Sequence, residues 1–441
     1  MSDVDDGRLT SQLYDLATGD EDARLCRDIP EDQCREQPVN FLAQTAAQAL
    51  SKTGDALADT KVVLPWLLGT MGAPAAFAGL LVPIRESLAL MPQILVGGVI
   101  RQFPRRKAFW AIASIAQGAC ILAMAGAAVA GLEGTAAGWT VTALVVLFSL
   151  ARGVASIAAK DVLGKTVSKG RRGRVSGHAA TIAGLAAGAV GTYLMLSPAA
   201  TRPDWLLYAL VAGAGACWFV AAAVYLRIVE YPGAVSGGRG INDLVREQVS
   251  ILAKDRQLQR FLATRALMIS TALVGPLYVT LAQRQTGLGL DGLGWLIIAS
   301  GLSAALSSSF WGILSDRSSR ATMALAAAIA GALGPVALLV LTHMPGLAGS
   351  IIFYAAILFV LGVAHAGVRI GRKTHVVDLA GGDRKAEYVA LSNTVIGILL
   401  LGTGALTGAL MGVSITAAIG TLSALALLGA GLAMTMTNVQ E

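Results

Sequence analysis

The sequence predicts an all-α polytopic membrane protein in which twelve transmembrane helices form two six-helix bundles related by an internal repeat. Composition gives the first reason: 55% of the 441 residues are hydrophobic and only 14% are charged, too few to cover the surface of a soluble domain. The second reason is that the chain contains twelve separate apolar runs. The third is that short motifs recur in the two halves of the chain.

Each apolar run has the length of about 20 residues that crosses roughly 30 Å of hydrocarbon as a helix. The runs, numbered here as spans 1 to 12, are centred near residues 55, 87, 120, 147, 186, 216, 271, 302, 333, 360, 398 and 425. The sequence predicts five domains: an acidic cytoplasmic tail (residues 1–38), an N-terminal bundle (39–228), a cytoplasmic linker with an amphipathic helix (229–257), a C-terminal bundle (258–436) and a short cytoplasmic C-terminus (437–441).

The distribution of basic residues predicts how the chain lies in the membrane. Lys and Arg concentrate between spans 2 and 3, 4 and 5, 8 and 9, and 10 and 11, whereas connections such as residues 70–74 have almost none. The positive-inside rule therefore predicts that both termini are cytoplasmic, in the cell inner (plasma) membrane. The eleven acids of the tail do not oppose this orientation, because Asp and Glu contribute little to the rule. The basic excess is thus a membrane signal and predicts no nucleic-acid partner.

The two halves resemble each other at nearly constant spacing. Residues 98–107 align with residues 312–321, and residues 171–184 align with residues 384–397. Late in spans 4 and 10, an Arg is followed nine residues later by an Asp, as Arg152 with Asp161 and Arg369 with Asp378. Such duplication is typical of transporters whose binding site lies between the repeats near the bilayer midplane.

The segment GILSDRSSR between spans 8 and 9 resembles the cytoplasmic loop motif of the major facilitator superfamily, with matching residues Gly312, Asp316, Arg317 and Arg320. Arg152 resembles the span-4 arginine of that superfamily, and the Gly-Asp pair at Asp55 resembles its exporter-like branches. The first copy of the loop motif has Gln102 in place of the acid, and span 5 lacks the Gly-Pro of drug and proton antiporters, so the branch is not resolved. Over residues 39–436 the resemblance implies secondary transport by alternating access and a monomer.

Charged residues within spans 1 and 2 are the main candidate site. On a continuous helix Lys52, Asp55 and Asp59 share one face, and Lys61 points away, to snorkel outward or pair elsewhere. Span 2 adds Arg85 and Glu86, which point about 100 degrees apart on a helix. Because charges inside hydrocarbon are costly, these groups either handle substrate or protons or brace neighbouring helices. The proton-coupling candidates are Asp55, Asp59 and Glu86, with Lys52 and Arg85 as counter-charges.

Other charged and polar residues support two further predictions. We expect a structural cytoplasmic gate that contains Asp316, Arg317, Arg320, Arg106, Asp161, Arg369 and Asp378. Arg152 and Arg369 either contact an anionic substrate or anchor the cytoplasmic surface. Arg265, His365 and Asn393 either line the cavity from the second half or act as polar contacts between helices.

No motif indicates an enzyme, a cofactor or a metal site, since the chain lacks a phosphate-binding loop, a zinc HExxH pattern and a nucleophile elbow. The spacing of the four cysteines predicts no disulfide or zinc framework. The sequence therefore favours a proton-coupled secondary active transporter of a small solute, with export favoured over uptake of an anion. The alternatives are a non-transporting sensor or assembly factor that uses its acidic tail to dock a partner, and a passive channel.

Overall fold

The computed structural model describes residues 10, 12–15, 17–18, 34–91, 96, 99–100, 102–168, 171–196, 205–233, 235, 250–380 and 385–440. Its helices are α1 (Gln37–Leu57), α2 (Val63–Thr70), α3 (Ala75–Leu90), α4 (Lys107–Val129), α5 (Gly134–Thr166), α6 (Arg172–Leu196), α7 (Trp205–Leu226), α8 (Arg256–Met268), α9 (Ser270–Leu273), α10 (Gly275–Thr286), α11 (Leu290–Arg317), α12 (Ser319–His343), α13 (Pro345–Ala348), α14 (Ile351–Ala380), α15 (Lys385–Val413) and α16 (Ile415–Met434). Most of the acidic tail and most of the predicted linker helix lie outside the described residues.

Spans 3 to 12 are confirmed as long apolar helices. In the described part of the chain, ten helices are long and apolar enough to cross a membrane. Spans 3 to 6 are α4 to α7, span 7 comprises α8 to α10, and spans 8 to 12 are α11, α12, α14, α15 and α16. The protein is therefore an all-helical, multi-pass membrane protein.

Span 1 is not the continuous helix on which the predicted charged face depends. Its first helix, α1, ends at Leu57, and α2 begins only at Val63. Between them the carboxylate of Asp59 accepts a hydrogen bond of 3.2 Å from the backbone N–H of Lys61. An Asp side chain that bonds a nearby backbone N–H competes with helical hydrogen bonding. Span 2 is α3, whose described part ends at Leu90.

Span 7 is interrupted at the equivalent place in the second half. It breaks at Ile269 and Val274, and α10 then begins with Gly275 and Pro276. A proline has no N–H to donate to the preceding turn, so a helix readily restarts there. Interrupted backbone at membrane depth is tolerated where it is buried in protein or lines a cavity. Both breaks therefore mark the space between the halves.

The same pairs of spans pack together in each half. In the first half the pairs are spans 1–5, 1–6, 2–4, 3–4 and 3–6. In the second half they are spans 7–11, 7–12, 8–10, 9–10 and 9–12. Adding six to each span number in the first set gives the second set. The predicted arrangement of two repeat-related six-helix bundles is confirmed.

Close packing joins the two bundles at one face of the molecule. We define the basic face as the face that holds Arg106 and Arg320, and the distal face as the one that holds the turn at Gly72. Toward the distal face, span 2 packs on span 11, span 5 on span 8, and α2 on α10. The Gln283 side chain donates a 3.2 Å hydrogen bond to the carbonyl oxygen of Trp66 across this contact. The distal face is therefore closed.

The basic face is open between the bundles. Within the described ranges, no packing of comparable extent joins span 4 to span 10. Lys160 of span 4 and Lys373 of span 10 are exposed, and their charges interact across this space. The structure thus has a cavity between the bundles that opens toward the basic face.

One prediction about the cysteines is wrong. Cys34 is disulfide-bonded, whereas Cys120 in α4 and Cys217 in α7 are free thiols. The spacing of the cysteines in the sequence does not reveal this bond, and Cys26 lies outside the described residues.

Candidate functional site

An ion-paired group lies in the middle of the first bundle and joins spans 1, 2 and 4. The Asp55 carboxylate bonds the Arg85 guanidinium at 2.7 Å and also pairs with Arg152. Arg85 additionally lies 3.6 Å from Asp59. These side chains keep between 16% and 31% of their surface exposed, so water reaches the group. Two acids and two arginines make it neutral overall.

Further contacts fix the orientation of the two arginines. Arg85 lies 5.6 Å from the centre of the Phe148 ring, in a cation–π contact. Arg152 donates to the Ser51 hydroxyl at 3.3 Å and to the Gln117 side chain at 3.4 Å. Spans 3 and 4 thus hold the guanidinium groups against a carboxylate of span 1, and Asp55 becomes the centre of the group.

The predicted pairing of Lys52 with Asp55 does not form. The Lys52 amino group instead donates to the carbonyl oxygen of Ser176 in span 5, at 3.0 Å. Asp59 does not share the helical face of Lys52, because α1 ends at Leu57. Arg85, the other expected counter-charge, does pair with Asp55, and Arg152 takes the place that the sequence assigned to Lys52.

Glu86 points away from the group that contains its neighbour Arg85, as expected for adjacent residues of a helix. Its side chain is exposed and lines a cavity together with Arg265, His365 and Arg372 of the second bundle. Glu86 is thus the candidate acid that faces the other half across the interface.

The predicted polar residues of the second half also line this interface. Arg265 bonds the Ser392 hydroxyl and donates to the Asn393 side chain at 3.1 Å. His365 Nδ1 lies 3.1 Å from the Thr271 hydroxyl, which itself donates to the carbonyl oxygen of Met268. This contact connects span 10 to span 7. Arg265 and His365 combine both roles expected of them, since they line the cavity and connect helices.

Two cavity residues were missed by the sequence reasoning. Lys61, expected to point outward, lines an interior cavity of about 140 Å³ with His365 and Arg369. Arg372, counted with the loop after span 10, belongs to α14, which continues to Ala380. The apolar pattern of the sequence shows neither the break in span 1, which redirects Lys61, nor the full length of span 10, which includes Arg372.

The gate residues that pair in the first half do so within one bundle. Arg106, at the start of span 3, bonds Asp161 of span 4, and Lys165 lies 2.8 Å from the same carboxylate. Glu230, just after span 6, was missed. Its fully buried carboxylate accepts from the backbone N–H groups of Arg106 and Lys107, at 2.8 and 2.7 Å, and lies 3.2 Å from Lys165. It caps span 3.

The second half has an equivalent arrangement without the buried charge. The Gln440 side chain, just after span 12, accepts from the backbone N–H of Ser319 at 3.0 Å and donates to Asp378 at 2.8 Å. Arg320 donates to the carbonyl oxygen of Met436 at 2.8 Å. Among the described residues, Asp316 and Arg317 are exposed and form no ion pair. In this conformation the gate residues therefore do not connect the two bundles.

Glu230→Gln should lower the free energy of unfolding by about 1 to 3 kcal/mol, because the amide cannot replace a buried charged acceptor of three donors. Thermal unfolding of the purified protein in detergent measures this loss. Glu133→Gln is the matched control, since Glu133 is exposed and its side chain makes no capping hydrogen bond. Equal melting temperatures for the two variants would contradict the assigned role of Glu230.

The described residues contain no group of His, Cys, Asp and Glu side chains that could hold a metal ion. The ionisable groups that line the two cavities are Glu86, Lys61, His365 and the arginines Arg265, Arg369 and Arg372, which can form ion pairs and hydrogen bonds.

Comparison with known proteins gives a structural likeness without a sequence relative. No family model matches the chain, and no curated protein matches it. The nucleoside transporter NupG is similar in structure at a TM-score of 0.64 and 13% identity, covering 90% of this chain and 96% of that chain. A peptide transporter POT in complex with sulfate has a TM-score of 0.64 and 14% identity, covering 90% and 93%. A D-xylose–proton symporter has a TM-score of 0.61 and 13% identity, covering 91% and 98%.

Each of these three structures matches about nine tenths of the chain. Identities of this size establish the fold alone. The resemblance seen in GILSDRSSR agrees with that result. The chain therefore has the fold of the major facilitator superfamily of secondary transporters.

Proposed function

We propose that the protein is a proton-coupled secondary active transporter that moves a small solute by alternating access between its two bundles. The observation that carries the proposal is the position of Asp55, a carboxylate at mid-membrane depth that holds arginines of two other spans and remains accessible to water. Intramembrane ionisable groups of this kind mark ion and substrate pathways.

Protonation of Asp55 would change the packing of the first bundle. A neutral carboxyl group loses its charge attraction to Arg85 and Arg152, which belong to spans 2 and 4. Span 2 in turn packs on span 11 of the other bundle. A single proton at Asp55 can therefore bias how spans 2 and 4 are held, and through span 2 it can bias the contact between the bundles.

The direction of transport has two candidates that use the same cavity. Export by exchange with protons is favoured by the resemblance of span 1 to exporter-like branches. Uptake of an anionic solute together with protons is favoured by the excess of cations over acids in the cavity. In both, we propose that the basic face lies on the cytoplasmic side of the inner membrane, as the positive-inside rule predicts, and that the protein acts as a monomer.

The docking alternative uses a tail that is partly bound to the protein itself. Tyr14 is buried, and its ring packs at 5.4 Å on Phe41 of α1. Its hydroxyl bonds Arg171 and accepts from Gln37 at 2.7 Å. This part of the tail is not free to bind a partner unless it first leaves the first bundle, so the contacts favour a transporter over a docking protein.

Reconstituted vesicles test the proposal directly. Purified protein is placed in liposomes that contain a pH-sensitive dye, and a solute panel of anions, amines and amphiphiles is added with and without an imposed pH gradient. We expect at least one solute to move protons in a fixed direction: with the solute for symport, against it for exchange. Solute movement that is unchanged when the pH gradient is collapsed would refute proton coupling.

A further inference from the structure

We propose that the solute is a small anion whose carboxylate, phosphate or sulfate group binds Lys61, Arg369 and Arg372 in the cavity between the bundles. This inference rests on the transport function proposed above and assigns the solute class and the residues that would hold it. It concerns residues of the interface, not the ion-paired group inside the first bundle.

The three cations converge from two bundles on one space. Lys61 lies in the break of span 1, whereas Arg369 and Arg372 lie three residues apart in span 10 and so project from neighbouring positions on one side of that helix. Lys61 and Arg369 line the 140 Å³ cavity. Arg372 lines an adjoining smaller cavity, and His365 contributes to both. A ligand between the bundles would therefore meet all three.

These cations differ from the other intramembrane arginines in having no close partner. Within the described ranges, the side chains of Lys61, Arg369 and Arg372 form no hydrogen bond and no ion pair within 4 Å. Arg85 and Arg265, by contrast, are held by side chains of their own bundles. Because an unpaired charge at membrane depth is costly, unpaired cations that line a cavity between the bundles indicate that a ligand supplies the missing negative charge.

Glu86 is the one acid of the described residues that lines these two cavities. Its charge interacts with those of Lys61, Arg369 and Arg372, although it forms no ion pair with any of them within 4 Å. One carboxylate facing these three cations and Arg265 leaves the space positive. Glu86 therefore acts as a weak internal counter-charge. A solute anion must compete with its charge for the cations, but it does not have to break an ion pair.

The rest of the lining fits an anion with a small body. Ser300 and Ser303 supply hydroxyl groups, and Leu358, Leu361 and Ala366 supply apolar surface. A guanidinium presents several N–H donors in a planar fork that matches the two oxygens of a carboxylate or phosphate. The volume of about 140 Å³ is many times the roughly 10 to 15 Å³ that one water molecule needs. At the open face Lys160 and Lys373 would attract anions toward the cavity.

Binding to the purified full chain in detergent tests this inference. The probes are sulfate, inorganic phosphate, acetate and succinate, titrated at constant ionic strength while melting temperature and tryptophan fluorescence are recorded. We expect at least one probe to bind saturably to the wild type. Lys61→Gln, Arg369→Gln and Arg372→Gln should each weaken that binding by about tenfold to a hundredfold, the effect of losing a charged hydrogen-bond donor. Arg284→Gln, an exposed cation of α10 at the distal face, should leave it unchanged.

Glu86→Gln gives the decisive result, because misfolding cannot imitate it. Removing the internal counter-charge should tighten binding of the same probe several-fold, opposite in sign to the three cation variants. The inference is overturned if no probe binds the wild type, or if the three cation variants bind as tightly as Arg284→Gln. The vesicle assay separates the two proposals: solute-linked proton movement with a cationic or neutral solute would keep the transport function and refute the anion site.

Discussion

Asp55→Asn is expected to abolish solute accumulation driven by a pH gradient. The substitution keeps the size of the side chain but removes the charge that holds Arg85 and Arg152. Breaking one partner of a buried ion pair costs about 3 to 5 kcal/mol; partial exposure reduces this to about 2 kcal/mol, or some thirtyfold in an equilibrium. The variant also lacks a group that can gain and lose a proton at this position. Uphill transport is therefore lost.

The measurement is accumulation of a transported solute in vesicles with an imposed pH gradient, compared with exchange of the same solute at equal pH. Asp55→Asn should retain exchange and lose accumulation, because exchange needs the alternating movement but no net proton transfer. Glu133→Gln is the control for a neutralised carboxylate, since it lies exposed at the start of α5. Accumulation at the wild-type level in Asp55→Asn would remove Asp55 from the coupling mechanism.

A second substitution separates coupling from structural bracing. Asp55→Asn leaves the group with one excess positive charge, which Arg152→Gln in the same chain removes. If Asp55 only braces the bundle, the double variant should regain both melting temperature and accumulation. If Asp55 carries the proton, the double variant should regain melting temperature alone. The two readings left open by the sequence thus predict different results.

The global features of the fold were readable from the sequence, because the bilayer imposes them. Apolar length fixes how many helices span the membrane, and the repeated motifs at Arg106 and Arg320 indicate two related bundles. The charges of spans 1 and 2 were also found, since a charged residue in an apolar run is conspicuous. These signals are local or periodic, which is why one sequence suffices to read them.

The pairing of those charges was not readable, because it depends on where helices end and which neighbours they meet. No Gly or Pro marks the break after Leu57, so the helical phase was carried on to Lys61, which was expected to point outward but lines the cavity. In span 7, Gly275 and Pro276 do mark the break and offered a usable signal. Glu230 could have been suspected as a lone acid beside the basic connections, but its three donors come from distant parts of the chain.

Gly404→Leu should stop transport through a steric effect on the interface between the bundles. A Cβ atom at Gly404 of span 11 would lie 2.2 Å from Cβ of Pro83 in span 2, well inside contact distance. The proline ring cannot rotate away, so the two bundles must separate locally. Overpacking of this kind costs about 1 to 3 kcal/mol, and the cost falls on the conformation in which spans 2 and 11 are in contact.

The same helix provides a matched control two residues away. Gly402 is exposed, and a Cβ atom there would meet no heavy atom within 4 Å. Gly402→Leu therefore adds the same bulk to the same helix without touching span 2. We expect the transport rate of Gly404→Leu to fall by at least about tenfold. That of Gly402→Leu should stay near the wild-type rate.

Comparing the two variants tests whether the distal contact is part of the transport cycle. Melting temperature is recorded alongside the transport rate. If Gly404→Leu shifts the equilibrium between the conformations open at the basic face and at the distal face, a ligand of the cavity should bind it with altered affinity. Equal transport rates for the two variants would show that added bulk at the contact with Pro83 does not slow the transport cycle. Equal loss in both would show that the effect belongs to glycine in the helix itself. Only a loss confined to Gly404→Leu places the contact between spans 2 and 11 among the surfaces that must close for transport.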